Sequence, residues 1–395
     1  MLIWGWLLVI SCKPPETPMP HKQDIRYRIV DDVYYKDYVH SDEEIWLKNH
    51  FRNGFVDLGL KKAAEELLGS LHKPTLFVTQ SAVQLATTRN GYPGQARFAK
   101  ILNTGYYPEE IIDMIEKDVQ GRSFHFSIVR RTYGTGMNLW LIGWAPQILY
   151  IDPLDRDIPL DGSVGIRISG NQNKSTLLLT NPEQDVEILP LLPEAYRILR
   201  KFSIPGSYRF EVVTENPKQN IQDISLLFSV YVDEEPPPPE RLLSRDTQVE
   251  NPLEAEEWMY IQLNQLRQQK GLAPLQKFKL FVPLVRSHSA WMAAEGIAAH
   301  KISGVTKGVD YHAELLAHPR ARHYENVAAA YSSKEAWHLA TNSPGHLQVF
   351  LCETCTHVSI GGAVEPVMEG RARLFFTFEV LEFPQGEPKK IEYMR

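Results

Sequence analysis

Between Tyr324 and His346 the chain sets a carboxylate (Glu325), an amide (Asn326), an indole (Trp337), a hydroxyl (Ser343) and an imidazole (His346) among small and apolar residues. That mixture reads as the wall of a pocket. An imidazole near a carboxylate can move a proton or hold a divalent ion, and a hydroxyl near an imidazole can be activated as a nucleophile. Local pattern gives several of these residues a structural task as well. Ser343-Pro344 reads as the cap and first residue of a short helix carrying His346 in its first turn. Ser332 with Glu335 reads as a capping box opening the helix that holds Trp337, which is expected to pack. Glu325 and His346 remain as candidate chemistry.

The elements that must position them follow from periodicity and punctuation. Asn251 as cap, Pro252 in the first turn, early Glu residues and Gly271 beyond the end mark one helix. A second spans Leu280 to Gly296, with Leu284, His288 and Met292 on one face. His288 is therefore expected to be a buried structural imidazole with one hydrogen bond. Thr356 to Ala363 and Arg371 to Leu381 read as strands, the second Phe-rich and buried on both sides.

The 395 residues are too many for one ordinary domain, and 43% hydrophobic with 23% charged residues is the composition of a globular protein. A formal net charge of -6 with no Lys/Arg block gives no footprint for a nucleic-acid backbone, so none is expected as partner. Residues 25–153 read as an α+β domain, with helices at Leu58 to Leu71 and Glu109 to Val119 before strands Phe124 to Val129 and Leu139 to Trp144. Residues 154–233 break into short alternating runs, read as an immunoglobulin-like β-sandwich. The four prolines from Pro236 to Pro239 make residues 234–248 a semi-rigid spacer. Residues 249–384 form the last domain.

Residues 1–12 carry a short uncharged apolar run, too short for a membrane helix. They resemble a lipoprotein signal segment in which Cys12 is acylated and residues 13–24 form the tether, although no Lys or Arg precedes the run. This implies an exported protein of a bacterial cell envelope, periplasmic or on the surface, attached to the membrane by its N-terminal lipid. Cys352 and Cys355 are then expected as a structural disulfide or two free thiols, because no second Cys pair completes a zinc site.

The last domain resembles the CAP superfamily of cysteine-rich secretory, antigen 5 and pathogenesis-related proteins. The resemblance rests on Asn264 and Arg267 with Gly-Leu-Ala-Pro-Leu from Gly271, His288-Ser289 with Met292, His300, Glu325-Asn326-Val327-Ala328, Trp337, Ser343-Pro344-Gly345-His346 and Thr356 to Gly361, in the family's order. It implies an α-β-α sandwich with a cleft lined by His300, Glu325 and His346, with Asn326 and Ser343 nearby. The family's second glutamate falls at Ala340, which reduces a tetrad to a triad. A fainter echo raises a degenerate first copy of this fold in residues 25–153 as the alternative to a generic α+β domain.

Three chemistries stay open for that triad. It could hold a zinc-like divalent ion for a hydrolase or peptidase. A histidine could activate Ser343 or Ser289. Or the cluster could order the loops while the cleft binds a lipid, glycan or peptide, with no cofactor required. The missing carboxylate favours binding over hydrolysis.

Overall fold

The computed structural model describes residues 26–29, 38–71, 78–134, 136–146, 149–170, 175–191, 196–216, 221–236, 250–300, 321–366, 372–384 and 386. Cys12, the 13–24 tether and Pro237 to Pro239 of the spacer lie outside the described residues. Helices and strands are mixed in several sheets, so the fold class is α+β. No described helix is long and apolar enough to cross a membrane.

The first elements are β1 (Arg26–Ile29), α1 (Asp42–His50), β2 (Gly54–Val56), α2 (Leu58–Ser70), α3 (Gln80–Arg89), β3 (Arg97–Asn103), α4 (Glu110–Val119), β4 (Phe124–Thr132) and β5 (Asn138–Pro146). Four strands make a sheet in the order β2-β4-β5-β3, parallel between β2 and β4 and antiparallel elsewhere. Strand alternation gives it two apolar faces. Phe124, Phe126, Trp140 and Ile142 cluster with Ile111 and Ile115 of α4, while Leu139 and Leu141 cluster with Leu60, Ala63, Ala64 and Leu67 of α2.

The sandwich comprises β6 (Leu149–Asp155), β7 (Asp157–Ile158), β8 (Ser163–Gly170), β9 (Ser175–Thr180), β10 (Val186–Leu191), β11 (Tyr196–Lys201), β12 (Gly206–Asn216) and β13 (Ile221–Val232). Its sheets run β1-β6-β8-β11 and β10-β9-β12-β13-β7. The sequence reading places residues 26–29 and 149–153 in the first domain. Instead β1 pairs with β6 and β6 with β8, a long-range pairing that no local pattern encodes. The cluster burying α2 and α3 continues into the sandwich interior through Leu177, Phe210 and Phe228.

The last elements are α5 (Pro252–Gln269), β14 (Gln276–Lys277), α6 (Val282–Glu295), β15 (Arg322–Ala330), α7 (Ser333–Asn342), α8 (Pro344–Phe350), β16 (His357–Val364) and β17 (Leu374–Glu382). The sheet runs β14-β16-β17-β15, again parallel only at its first pair. Phe376, Phe378 and Val380 cluster with residues of α5, α7 and α8, whereas Phe375 meets Met292 and Ala293 of α6. This unit is an α-β-α sandwich. Its strand order and pairing senses are those of the first sheet, and Phe278 N–H bonds Val358 O as Asp57 N–H bonds Phe126 O. The two units therefore share one sheet topology.

Two sequence features seat α6 on the sheet. Gly361 touches the helix backbone so closely that a Cβ there would lie 2.4 Å from Val285 C, leaving glycine as the residue that fits. Ser289 Oγ donates to Gly361 O at 2.9 Å and lies 2.9 Å from Thr377 Oγ1.

Candidate functional site

Glu325 stands in β15 on the face that α6 covers, with its side chain 2% exposed. A carboxylate so buried needs partners, and it has two imidazoles. His300 Nδ1 lies 2.8 Å from Oε1, and His288 Nδ1 lies 3.1 Å from Oε2. His288 Nε2 is 3.0 Å from Ala299 O. A carbonyl only accepts, so Nε2 must donate, while Nδ1 faces both Glu325 Oε2 and the Thr377 hydroxyl, whose oxygen is 3.4 Å away. The pairing with Glu325 holds the His288 pKa above its ordinary value despite the opposing effect of burial. Burial also opposes ionisation of Glu325, yet the hydrogen bonds and charges of the two histidines outweigh it and lower its pKa to about 2.

The expectation that His288 is a structural imidazole with one hydrogen bond is thus corrected: besides Ala299 O it meets Glu325 and Thr377. Its helical face with Leu284 and Met292 is as expected, but the sequence does not reveal what that face meets. A second pair adjoins the first. Glu379 of β17 lies directly opposite Glu325 in register and is fully buried, with Oε2 3.2 Å from His323 Nδ1. Two carboxylates side by side repel unless cations intervene. His288 and His323 each bring an imidazole to this pair, and neither His323 nor Glu379 stands out in the sequence because the two become neighbours only through strand pairing.

Asn326 follows Glu325 and, by strand alternation, serves the other face. Its Nδ2 donates to His346 O at 2.9 Å. His346 lies in the first turn of α8, as the Ser343-Pro344 signal predicts, and Ser343 Oγ accepts its N–H at 3.3 Å. Its Nδ1 is buried without a hydrogen-bond partner among the described residues. Burial, and secondarily the charge of His300, lowers its pKa to about 4, so the ring is neutral at physiological pH. The structure therefore joins His300 to Glu325 and His346 to Asn326, on the two sides of edge strand β15.

The remaining expected groups are engaged. Ser343 Oγ donates to Glu211 Oε2 of the sandwich at 2.6 Å, and Ser289 is tied to Gly361 and Thr377. The Glu335 carboxylate does not fold back on Ser332. It accepts N–H groups of Tyr331 and of Ser81 at the start of α3, linking the last unit to the first. Trp337 stacks on Phe350 with ring centroids 5.5 Å apart. Ala340, at the position of the family's second glutamate in the resemblance, is packed in the core. Cys352 and Cys355 are disulfide-bonded with Cα atoms 5.4 Å apart.

Zinc chemistry asks for donors free to converge on one ion. Both oxygens of Glu325 contact imidazole nitrogens, and among the described residues no three His, Cys, Asp or Glu side chains are grouped so that they could hold a metal.

No protein-family model matches the sequence, nor does any curated protein. Among solved structures the chain is similar to an outer surface protein of Borrelia burgdorferi, at 16% identity over 33% of this chain and 95% of the other, with a TM-score of 0.28. It is also similar to an extracellular SCP-domain protein of Bacillus anthracis, at 14% identity over 59% of this chain and 82% of the other, TM-score 0.28. A third is a cysteine-rich secretory protein of Staphylococcus aureus, at 14% identity over 60% and 83% of the two chains, TM-score 0.25.

Proposed function

We propose that this is an exported envelope lipoprotein whose C-terminal unit, a CAP-like sandwich, binds an extracytoplasmic ligand of lipid, glycan or peptide character beside β15. The observation that carries this reading is Glu325 clamped between His288 and His300. A carboxylate with a pKa near 2 is a poor proton carrier at neutral pH, whereas it is well suited to fixing an imidazole. His300 is the exposed member of the cluster, 36% accessible against 6% for His288, and the Glu325 contact uses only its Nδ1. Among the described residues its other nitrogen has no recorded partner, and we assign that nitrogen to the ligand. Both serines that could serve as nucleophiles are tied up in hydrogen bonds. A metal-dependent hydrolase using His300, Glu325 and His346 would first have to release Glu325 from its imidazoles.

Native mass spectrometry of the full chain against phospholipid, glycan-strand and peptide probes tests the reading. A probe retained intact, with retention lost in His300→Ala, supports it. Probe cleavage abolished by a chelator and by His346→Ala would establish the hydrolase instead. Attachment is tested separately through Cys12→Ser, which is expected to move the protein out of the membrane fraction and remove the lipid mass.

A further inference from the structure

The helix that carries His346 is held at both ends by groups outside it. Glu211, on β12 of the sandwich and 2% exposed, accepts the Ser343 hydroxyl at 2.6 Å and also the Gly345 N–H. There is no space for a side chain at residue 345, since a Cβ there would lie 2.6 Å from Glu211 Oε1. At the far end Arg267 of α5, fully buried, donates from Nη1 to Phe350 O at 2.8 Å and Cys352 O at 2.9 Å. The guanidinium at the carboxyl end complements the helix dipole. Asn326 on His346 O is a third point of attachment.

We propose that Glu211 is a positioning residue of the candidate cleft, supplied by the β-sandwich, so that the placement of His346 depends on the docking of the sandwich against α8. The proposal concerns the seat of the helix and does not require that the cleft bind any particular ligand. It also gives the sandwich a task that the composition of residues 154–233 does not suggest, since Glu211 occupies what reads as an ordinary polar position of an alternating strand.

The seat has a proton-linked character. Burial pushes Glu211 up to about 7 from an ordinary 4.5, offset only in part by Ser343 and Gly345. Among the described residues, the elements packed on it bring no recorded ion pair. From α8 come the Ser343 hydroxyl, the Gly345 amide and the neutral His346, and the register neighbours on β9 and β13 are Leu178 and Leu227, with Tyr231 further along β13. Arg209, two residues earlier on β12, directs its guanidinium to Thr341 O at 3.5 Å, and His338 of α7 has its pKa lowered by burial and by Arg209. Because the docked pKa is the raised one, docking takes up a proton. Its contribution is full below about 4.5 and is lost as pH rises through about 7.

Amide-exchange protection of α8 and the His346 ring signals, read by NMR on the full chain from pH 5 to 9, test this. In the wild type, protection of Leu347 to Phe350 is expected to fall between pH 5 and 9 by up to about 80-fold, the part of the linkage between an undocked 4.5 and a docked value of about 7 that lies in this range. Glu211→Gln, an uncharged isostere, should hold its low-pH protection across the range, and Ser343→Ala should lower protection at every pH while keeping the course. A Glu211→Gln protein that follows the wild-type course overturns the proposal. So does a wild type whose α8 protection and His346 signals do not change between pH 5 and 9, which settles the matter even if the variant fails to fold.

Discussion

Phe98 and Glu325 occupy the same register position in the two related sheets: Phe98 on β3 lies opposite Gly143 of β5, as Glu325 on β15 lies opposite Glu379 of β17. A phenyl ring and a bare glycine in the first unit thus stand where the last unit has two carboxylates. The buried face of α2 carries Ala63 and Ala64, whereas that of α6 includes His288 and Ser289. The first unit thus has packing where the last has a charged cluster.

That packing makes Gly143 sensitive to any added bulk. A Cβ there would lie 2.6 Å from Phe98 Cζ and 2.9 Å from Ser127 Oγ, with strands on both sides limiting relief. Gly143→Ala is expected to destabilise the first unit by about 1–3 kcal/mol, measured by urea denaturation. Adding Phe98→Ala should recover part of the loss through relief of the clash, so the pair should be non-additive.

Removing the charge of Glu325 leaves His288 buried beside an uncharged amide. Glu325→Gln should cost about 3 kcal/mol at neutral pH. The sign of the pH dependence follows from the two shifts. Glu325 has a depressed pKa, so its contribution is present above about 4.5 and is lost as pH falls toward 2. His288 has a raised pKa, so its contribution is full below 6.5 and is lost as pH rises through its folded value. Denaturation midpoints of wild type and variant are expected to differ most between these limits and to converge in acid.

Arg267 offers a test of packing without an ion pair. Its guanidinium is fully buried and bonds the carbonyls of Ala273, Phe350 and Cys352. Arg267→Met fills much of the volume but leaves those carbonyls without this donor, for a loss of about 2–4 kcal/mol by thermal denaturation.

Much of the scaffold was legible where local physics decides. Asn251 caps α5, Leu60, Ala63, Ala64 and Leu67 line the buried face of α2, and Ser343 caps α8 as read. What was hidden depends on partners distant in the chain. His288 shares a face with Met292 and so resembles core, and only the arrival of β15 turns that face into half of an ion pair. Glu211 looks like a solvent-facing strand residue until α8 covers it. The separation of Glu325 from Asn326 is an alternation effect, visible once residues 322–330 are known to be a strand, and their mixed pattern of polar and small residues does not announce one.

The claim on which the account rests is that Glu325 is committed to two imidazoles, raising the pKa of His288 while His346 stays neutral. An NMR pH titration of the histidine side chains tests it most directly. The account predicts that His288 titrates above its ordinary value, that His346 takes up its proton only near pH 4, and that Glu325→Gln returns His288 toward lower values. If His288 and His346 both titrate near 6.5, and the Glu325→Gln substitution moves neither, the clamp is absent and the account fails.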